Sequence, residues 1–175
     1  YEFKNEHHTL QFKTVAAEQF FGTGSRSLPI NKKGYRIGLD NNPWYGYSSN
    51  ADNLNYSMPF YISNYNYAVF FDNPSRGYID FAKTKTDTVE AGFKAGKLQF
   101  YTLFGNNAGD LVQQFTALVG KMSMPPRWAM GNFMSRFGYR TQDEVMSIAK
   151  KMKEQQFPFD AVIIDLFWFG DAQFG

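Results

Sequence analysis

The sequence predicts a β-sandwich over its longer amino-terminal part, followed by the opening of an alternating α/β domain of barrel type. Three observations predict this. Up to about Phe104 the chain is a series of short aromatic and β-branched runs punctuated by Gly, Asn and Pro, the pattern of many short strands joined by turns. A stiff connector containing Pro125 and Pro126 then interrupts the chain. Beyond it the period becomes strand, helix, strand, which is the signature of a βαβ unit.

Taken in order, the strand candidates are Thr9 to Ala16, Tyr35 to Leu39, Phe60 to Ile62, Tyr67 to Phe71, Tyr78 to Phe81, Thr86 to Ala91 and Lys97 to Phe104. In the last, Leu98, Phe100 and Thr102 alternate with Gln99, Tyr101 and Leu103, giving two faces of differing character. Asn107 is placed to cap a helix from about Ala108 to Leu118, with Leu111, Phe115 and Leu118 on one side and Gly120 to end it. After the prolines, Trp128 to Ser135 reads as a strand. Thr141 opens a helix whose Glu144 completes a capping box and whose Val145, Ile148, Ala149 and Met152 form the buried stripe. The apolar run Ala161 to Ile164 has the composition of a parallel strand buried on both faces. Two domains are therefore expected, 1–121 with a linking helix near 108–120, and 122–175. Too few residues follow Trp128 for the ~250 of a complete barrel, so the second domain is expected to be incomplete.

Composition narrows the function. A net charge of +2 with no basic run argues against nucleic acid as a partner, and no apolar stretch approaches the ~20 residues that span a bilayer. The segment is therefore expected to be soluble. There is no cysteine, hence no disulfide framework, and the compartment stays open, a periplasmic or secreted location included. Nothing suggests a cofactor. The adjacent His7 and His8 point to opposite faces of any strand and do not make a metal pair. Gly22 and Gly24 lack the following helix that a phosphate site needs, so a turn is expected there. The 19 Phe and 11 Tyr fit a dense core, sugar-stacking surfaces, or both.

Specific residues then match a family. Pro125-Pro126-Arg127-Trp128-Ala129-Met130-Gly131 followed by Ser135-Arg136-Phe137-Gly138-Tyr139 resembles the first barrel strand of glycoside hydrolase family 31, and Pro158 to Asp165 is similar to its second. Upstream, Phe21 to Gly24, Asn31 to Tyr35, Met58 to Ile62 and Phe70 to Pro74 resemble, in the same order, the family's galactose-mutarotase-like sandwich. The resemblance implies a retaining exo-acting α-glycosidase, most simply an α-glucosidase, with an oligosaccharide substrate. It places the nucleophile and acid/base Asp residues on later barrel strands, so no catalytic residue is expected in this segment. Alone, without the remainder of the barrel, the segment is expected to be inactive. An α-xylosidase of the same family and a non-catalytic carbohydrate-binding sandwich are the alternatives.

For binding, the resemblance implies that Asp165, at the carboxyl end of the second barrel strand, hydrogen-bonds hydroxyls of the terminal sugar. From position alone an Asp capping the next turn is an equal reading. Phe137 falls where the family most often has a subsite-wall Trp, and Phe167 and Trp168 where some members narrow the pocket; core packing is the alternative for all three. The resemblance also implies a sandwich loop over the pocket, here Asp40 to Ala51. Many relatives carry an Asp in it that reaches the sugar, but Asn42 or Pro43 stands at that position. Trp44 and Tyr45 offer a stacking face instead, or pin the loop to the sandwich.

Overall fold

The computed structural model describes residues 2–4, 7–43, 45–51 and 53–166. Two compact units divide the chain, Tyr1–Lys121 and Met122–Gly175.

The first unit holds strands β1 (Glu2–Lys4), β2 (His7–Lys13), β3 (Phe20–Gly24), β4 (Arg36–Leu39), β5 (Ser57–Ser63), β6 (Tyr67–Phe71), β7 (Gly77–Phe81), β8 (Thr88–Phe93) and β9 (Phe100–Phe104), and helix α1 (Ala108–Val119). They form a five-stranded sheet in the order β1-β2-β8-β7-β4 and a four-stranded sheet in the order β3-β5-β6-β9. Every pairing in both is antiparallel. The period-2 alternation of strands explains the core. Ile37 and Leu39, Ile79 and Phe81, and Val89, Ala91 and Phe93 point inward from one sheet to meet Phe20, Tyr61, Val69 and Phe71 from the other. Aromatic rings fill the space between: Phe20 stacks on Phe81 at 4.9 Å, and Tyr61 meets Phe81 edge-on at 5.2 Å. Much of the chain's unusual aromatic content is therefore core.

The four-stranded sheet is covered on its other face too. Phe60 and Ala68, one residue out of phase with Tyr61 and Val69, pack with Leu111 of α1, and Phe115 stacks on Phe60 at 4.2 Å. Asn107 caps the helix, its side chain accepting a hydrogen bond from the Asp110 N–H, and Gly120 ends it at φ 94°.

The outer face of the five-stranded sheet is polar. Arg36, Asp80, Glu90 and Gln11 lie in register across β4, β7, β8 and β2, and the Arg36 guanidinium lies 3.6 Å from the Tyr78 ring centroid. Partial burial and the Glu90 carboxylate, which accepts the Tyr78 hydroxyl hydrogen bond at 2.6 Å, push that phenol up to about 12. Glu18 is a buried charge, 4% exposed. Burial alone would raise its carboxyl, but the hydroxyls of Thr14, Tyr67 and Ser63 all donate to it at 2.6 to 2.7 Å and together hold it below the ordinary value.

Two local readings need correction. The Gly22–Gly24 pattern is not a turn but the end of edge strand β3, where the register against β5 shifts between Gly22 and Gly24. Its three residues all have positive φ, which hides the strand from a propensity reading. Likewise Trp128 to Ser135 is not one strand. Pro126 leads into a 3₁₀ turn over Arg127–Met130, and only Phe133–Ser135 is extended.

Among the described residues, no helix is long and apolar enough to cross a membrane.

Candidate functional site

The second unit is a strand–helix–strand: β10 (Phe133–Ser135), α2 (Gln142–Glu154) and β11 (Ala161–Ile163), with the strands parallel. Its amino-terminal end is fixed by a polar clamp. Asn132 donates its backbone N–H to Asp160 Oδ2 at 2.9 Å and its side-chain amide to the Pro158 carbonyl at 2.7 Å, while its own carbonyl accepts from the Asp160 N–H at 3.0 Å. Position 131 has to be glycine for this, because a Cβ there would collide with the Asp160 carboxylate. The Trp128 and Phe133 rings stack at 5.9 Å beside the clamp.

The other end carries the candidate site. Parallel pairing matches Ser135 with Ile163, so Phe137 and Asp165 each stand two residues past a registered pair, at the carboxyl ends of adjacent strands. That is the end at which barrel enzymes place their pockets. Asp165 is half-buried and adopts φ 63°, a left-handed conformation that costs a non-glycine residue about 1 kcal/mol and that Asp tolerates better than most. Such local strain gathers at functional sites. Phe137 is 56% exposed, so at least half of its surface is not core.

The loop that carries Phe137 is braced by contacts that pattern reading did not show. Arg136 pairs with Glu144 at 3.4 Å, and its guanidinium lies 5.6 Å from the ring of Tyr139, which is 2% exposed. The other Glu144 oxygen accepts the Arg140 backbone N–H at 3.0 Å, and the Thr141 hydroxyl accepts the Glu144 N–H at 3.2 Å. The capping box is thus displaced by one residue: Glu144 reaches past Thr141 to tie the preceding loop to the helix. The spacing signals Glu144; only the fold shows its partner Arg136. A cavity of 360 Å³ opens beside this loop, lined by Tyr139, Arg140, Thr141, Val145, Met146 and Ile164 among others. The apolar stripe of α2 is half-buried, and β11 is only partly covered, Ile163 being exposed, so it is not buried on both faces within this unit.

In the first unit, the loop that starts at Asp40 is anchored at its neck. Asp40 pairs with Arg76 at 3.4 Å, and the Asn53 amide donates to the Asn42 carbonyl at 3.1 Å. Tyr45 is fully exposed at 107% and Tyr47 more than half so, which leaves their rings free to meet a ligand. Trp44, Phe167 and Trp168 lie outside the described residues. Among the described residues no three His, Cys, Asp or Glu side chains are grouped to hold a metal ion.

Comparison with known proteins supplies context. Residues 1–80 match a family model described as the glycosyl hydrolase 31 N-terminal galactose mutarotase-like domain, and residues 122–174 match the glycosyl hydrolases family 31 TIM-barrel domain. The chain is 31% identical to alpha-glucosidase 2 of Bacillus thermoamyloliquefaciens over 86% of its own length and 19% of that protein's. It is 30% identical to an alpha-xylosidase of Saccharolobus solfataricus over 67% of its length and 16% of the relative's. Among solved structures it is similar to a Flavobacterium johnsoniae family 31 dextranase complexed with isomaltotriose, at 32% identity and a TM-score of 0.89, covering 95% of this chain and 21% of that one. The chain thus spans about a fifth of the length of the relatives it matches.

Proposed function

The chain belongs to glycoside hydrolase family 31, and on that premise we propose that it supplies the amino-terminal sandwich and first barrel strands of a retaining, exo-acting α-glucosidase. The observation that carries the reading is the placement of Asp165 and Phe137 together at the carboxyl ends of two parallel strands. Asp165 accepts hydrogen bonds from hydroxyls of the terminal α-linked glucose and fixes its orientation. Phe137 forms part of the subsite wall, with Phe167, Trp168 and Trp44 as further aromatic contacts. The similarity to an alpha-glucosidase and to a dextranase complexed with isomaltotriose supports α-glucosides as the substrate class.

Retention needs two carboxyl groups ~5–5.5 Å apart across the sugar. Asp160 and Asp165 do not make that pair. They stand beyond opposite ends of the three-residue strand β11, which alone separates them by roughly 10 Å. The family resemblance supports placing the nucleophile and the acid/base on later barrel strands, and on this reading the segment alone is inactive. Domain limits of 1–121 and 122–175 go with this reading, the first unit ending after α1.

An α-xylosidase is the second reading, favoured by the similarity to that activity in Saccharolobus solfataricus. Aryl α-glucosides and aryl α-xylosides separate the two when assayed on the complete protein. The glucoside is expected to be preferred by about ten-fold or more in kcat/KM, because a pocket that accepts the hydroxymethyl group gains its contacts. A reversed preference assigns the xylosidase; no hydrolysis of either substrate sinks the proposal. A purely carbohydrate-binding sandwich has less support, since the described rings that suggested it mostly fill the core.

A further inference from the structure

Residues 40–56 leave the five-stranded sheet after β4 and enter the four-stranded sheet at β5, with no helix or strand among the described residues between. A connection of this length holds one conformation only if it is tied at several points. Arg26 ties both of its stems. Nη1 donates to the carbonyls of Ser25 at 2.5 Å and Tyr56 at 2.7 Å. Nη2 donates to the Gly38 carbonyl at 2.7 Å and to the Ser57 hydroxyl at 2.9 Å. Gly38 lies on the outgoing stem, and Tyr56 and Ser57 on the returning one. Three of these four hydrogen bonds, to Gly38 on one stem and to Tyr56 and Ser57 on the other, link the stems through one planar guanidinium.

The backbone around Arg26 supports this. The Ser25 N–H donates to the Tyr56 carbonyl at 3.0 Å, the Asn50 N–H to the Ser27 carbonyl at 2.7 Å, and the Ser27 N–H to the Ala51 carbonyl at 3.2 Å. Just before it, Gly22, Thr23 and Gly24 have φ of 115°, 72° and 89°. A Cβ at Gly24 would run into the Tyr56 carbonyl, so the chain can bring Arg26 this close to β5 only through glycine. Thr23, fully buried, takes the left-handed conformation without glycine's freedom. A strained bulge is kept here, and its product is the position of Arg26.

We infer that Arg26 is a positioning residue for sugar binding: it sets the spacing of the two stems of loop 40–56 and so fixes where the exposed Tyr45 and Tyr47 stand. The inference rests on the reading that this loop contacts the sugar. Lysine cannot replace the arginine, because a single ammonium centre lacks the planar fork that meets Gly38 on one stem and Tyr56 and Ser57 on the other.

The test uses the complete enzyme with an isomalto-oligosaccharide substrate and four variants: Arg26→Met, Arg26→Lys, Ser57→Ala, and a loop with residues 43–50 replaced by a short Gly-Ser linker. Arg26→Met is expected to raise KM by about ten-fold with kcat within about two-fold of wild type. Arg26→Lys restores little, Ser57→Ala gives a smaller rise, and proteolytic cleavage within 41–50 accelerates in the same rank order. If Arg26→Met lowers kcat through loss of folded enzyme and leaves KM unchanged, the residue is merely structural and the inference is overturned. Should that variant fail to fold, Ser57→Ala decides, since an unchanged KM and cleavage rate there overturn the clamp. A shortened loop that raises KM while Arg26→Met does not sinks the role of Arg26 alone. A shortened loop with normal KM removes the premise that the loop contacts sugar.

Discussion

Asp165→Ala in the complete enzyme is expected to lower kcat/KM for α-glucosides by about two to three orders of magnitude while leaving the fold intact. The size follows from chemistry. A carboxylate that accepts two sugar hydroxyls contributes about 3–4 kcal/mol, each charged hydrogen bond being worth about 1.5–3 kcal/mol before desolvation is counted. Little stability is at stake, because Asp165 lies past the end of β11, only half-buried, in a left-handed conformation. A second substitution separates binding from turn formation. Asp165→Gly suits φ 63° better than aspartate does and removes the carboxylate, so it should be as stable as wild type and as inactive as the alanine variant. Activity surviving in Asp165→Gly would assign the residue to the turn, not to sugar.

Phe71→Ala is expected to destabilise the sandwich by about 3–5 kcal/mol, the range for deleting a fully buried ring. Phe71 is wholly buried on β6, and its ring lies 5.5 Å from Phe93, 6.2 Å from Phe100 and 6.4 Å from both Phe12 and Tyr61. It thereby joins both sheets and the edge strand β9, and neighbours drawn from four strands cannot collapse together into the space it leaves. Urea unfolding measures the effect: the midpoint should fall with an unchanged dependence on denaturant. A loss below about 1 kcal/mol would mean that the aromatic cluster is loosely packed and that the account of the aromatic content is wrong.

What the sequence showed and what it hid have the same physical source. Elements whose signal is local were legible: the alternating strands Tyr67–Phe71 and Tyr78–Phe81, the helix capped by Asn107 and ended by Gly120, and the helix opened by Thr141. β3 was hidden because Gly22 and Gly24 interrupt its short apolar run and its path there is set by pairing with β5. The strand placed at Trp128 to Ser135 came out as a 3₁₀ turn in its first part and a short strand in its last, because the proline before it and the Asn132–Asp160 clamp within it set the backbone there. The site divides in the same way. Asp165 and Phe137 were marked by the family resemblance, position alone leaving turn capping and core packing as alternatives, whereas the ion pair of Arg136 with Glu144 and the reach of Arg26 to both loop stems depend on contacts that only the fold shows. Spacing alone does not carry such contacts.

We propose that β10 and β11, which lead to Phe137 and Asp165, open the barrel of a retaining α-glycosidase. Following the first product of an aryl α-glucoside by proton NMR on the complete enzyme tests it most directly. α-Glucose should appear first and mutarotate to β only later, as a covalent glycosyl-enzyme intermediate requires. β-Glucose as the first product would mean inversion by a single displacement, and would contradict the account.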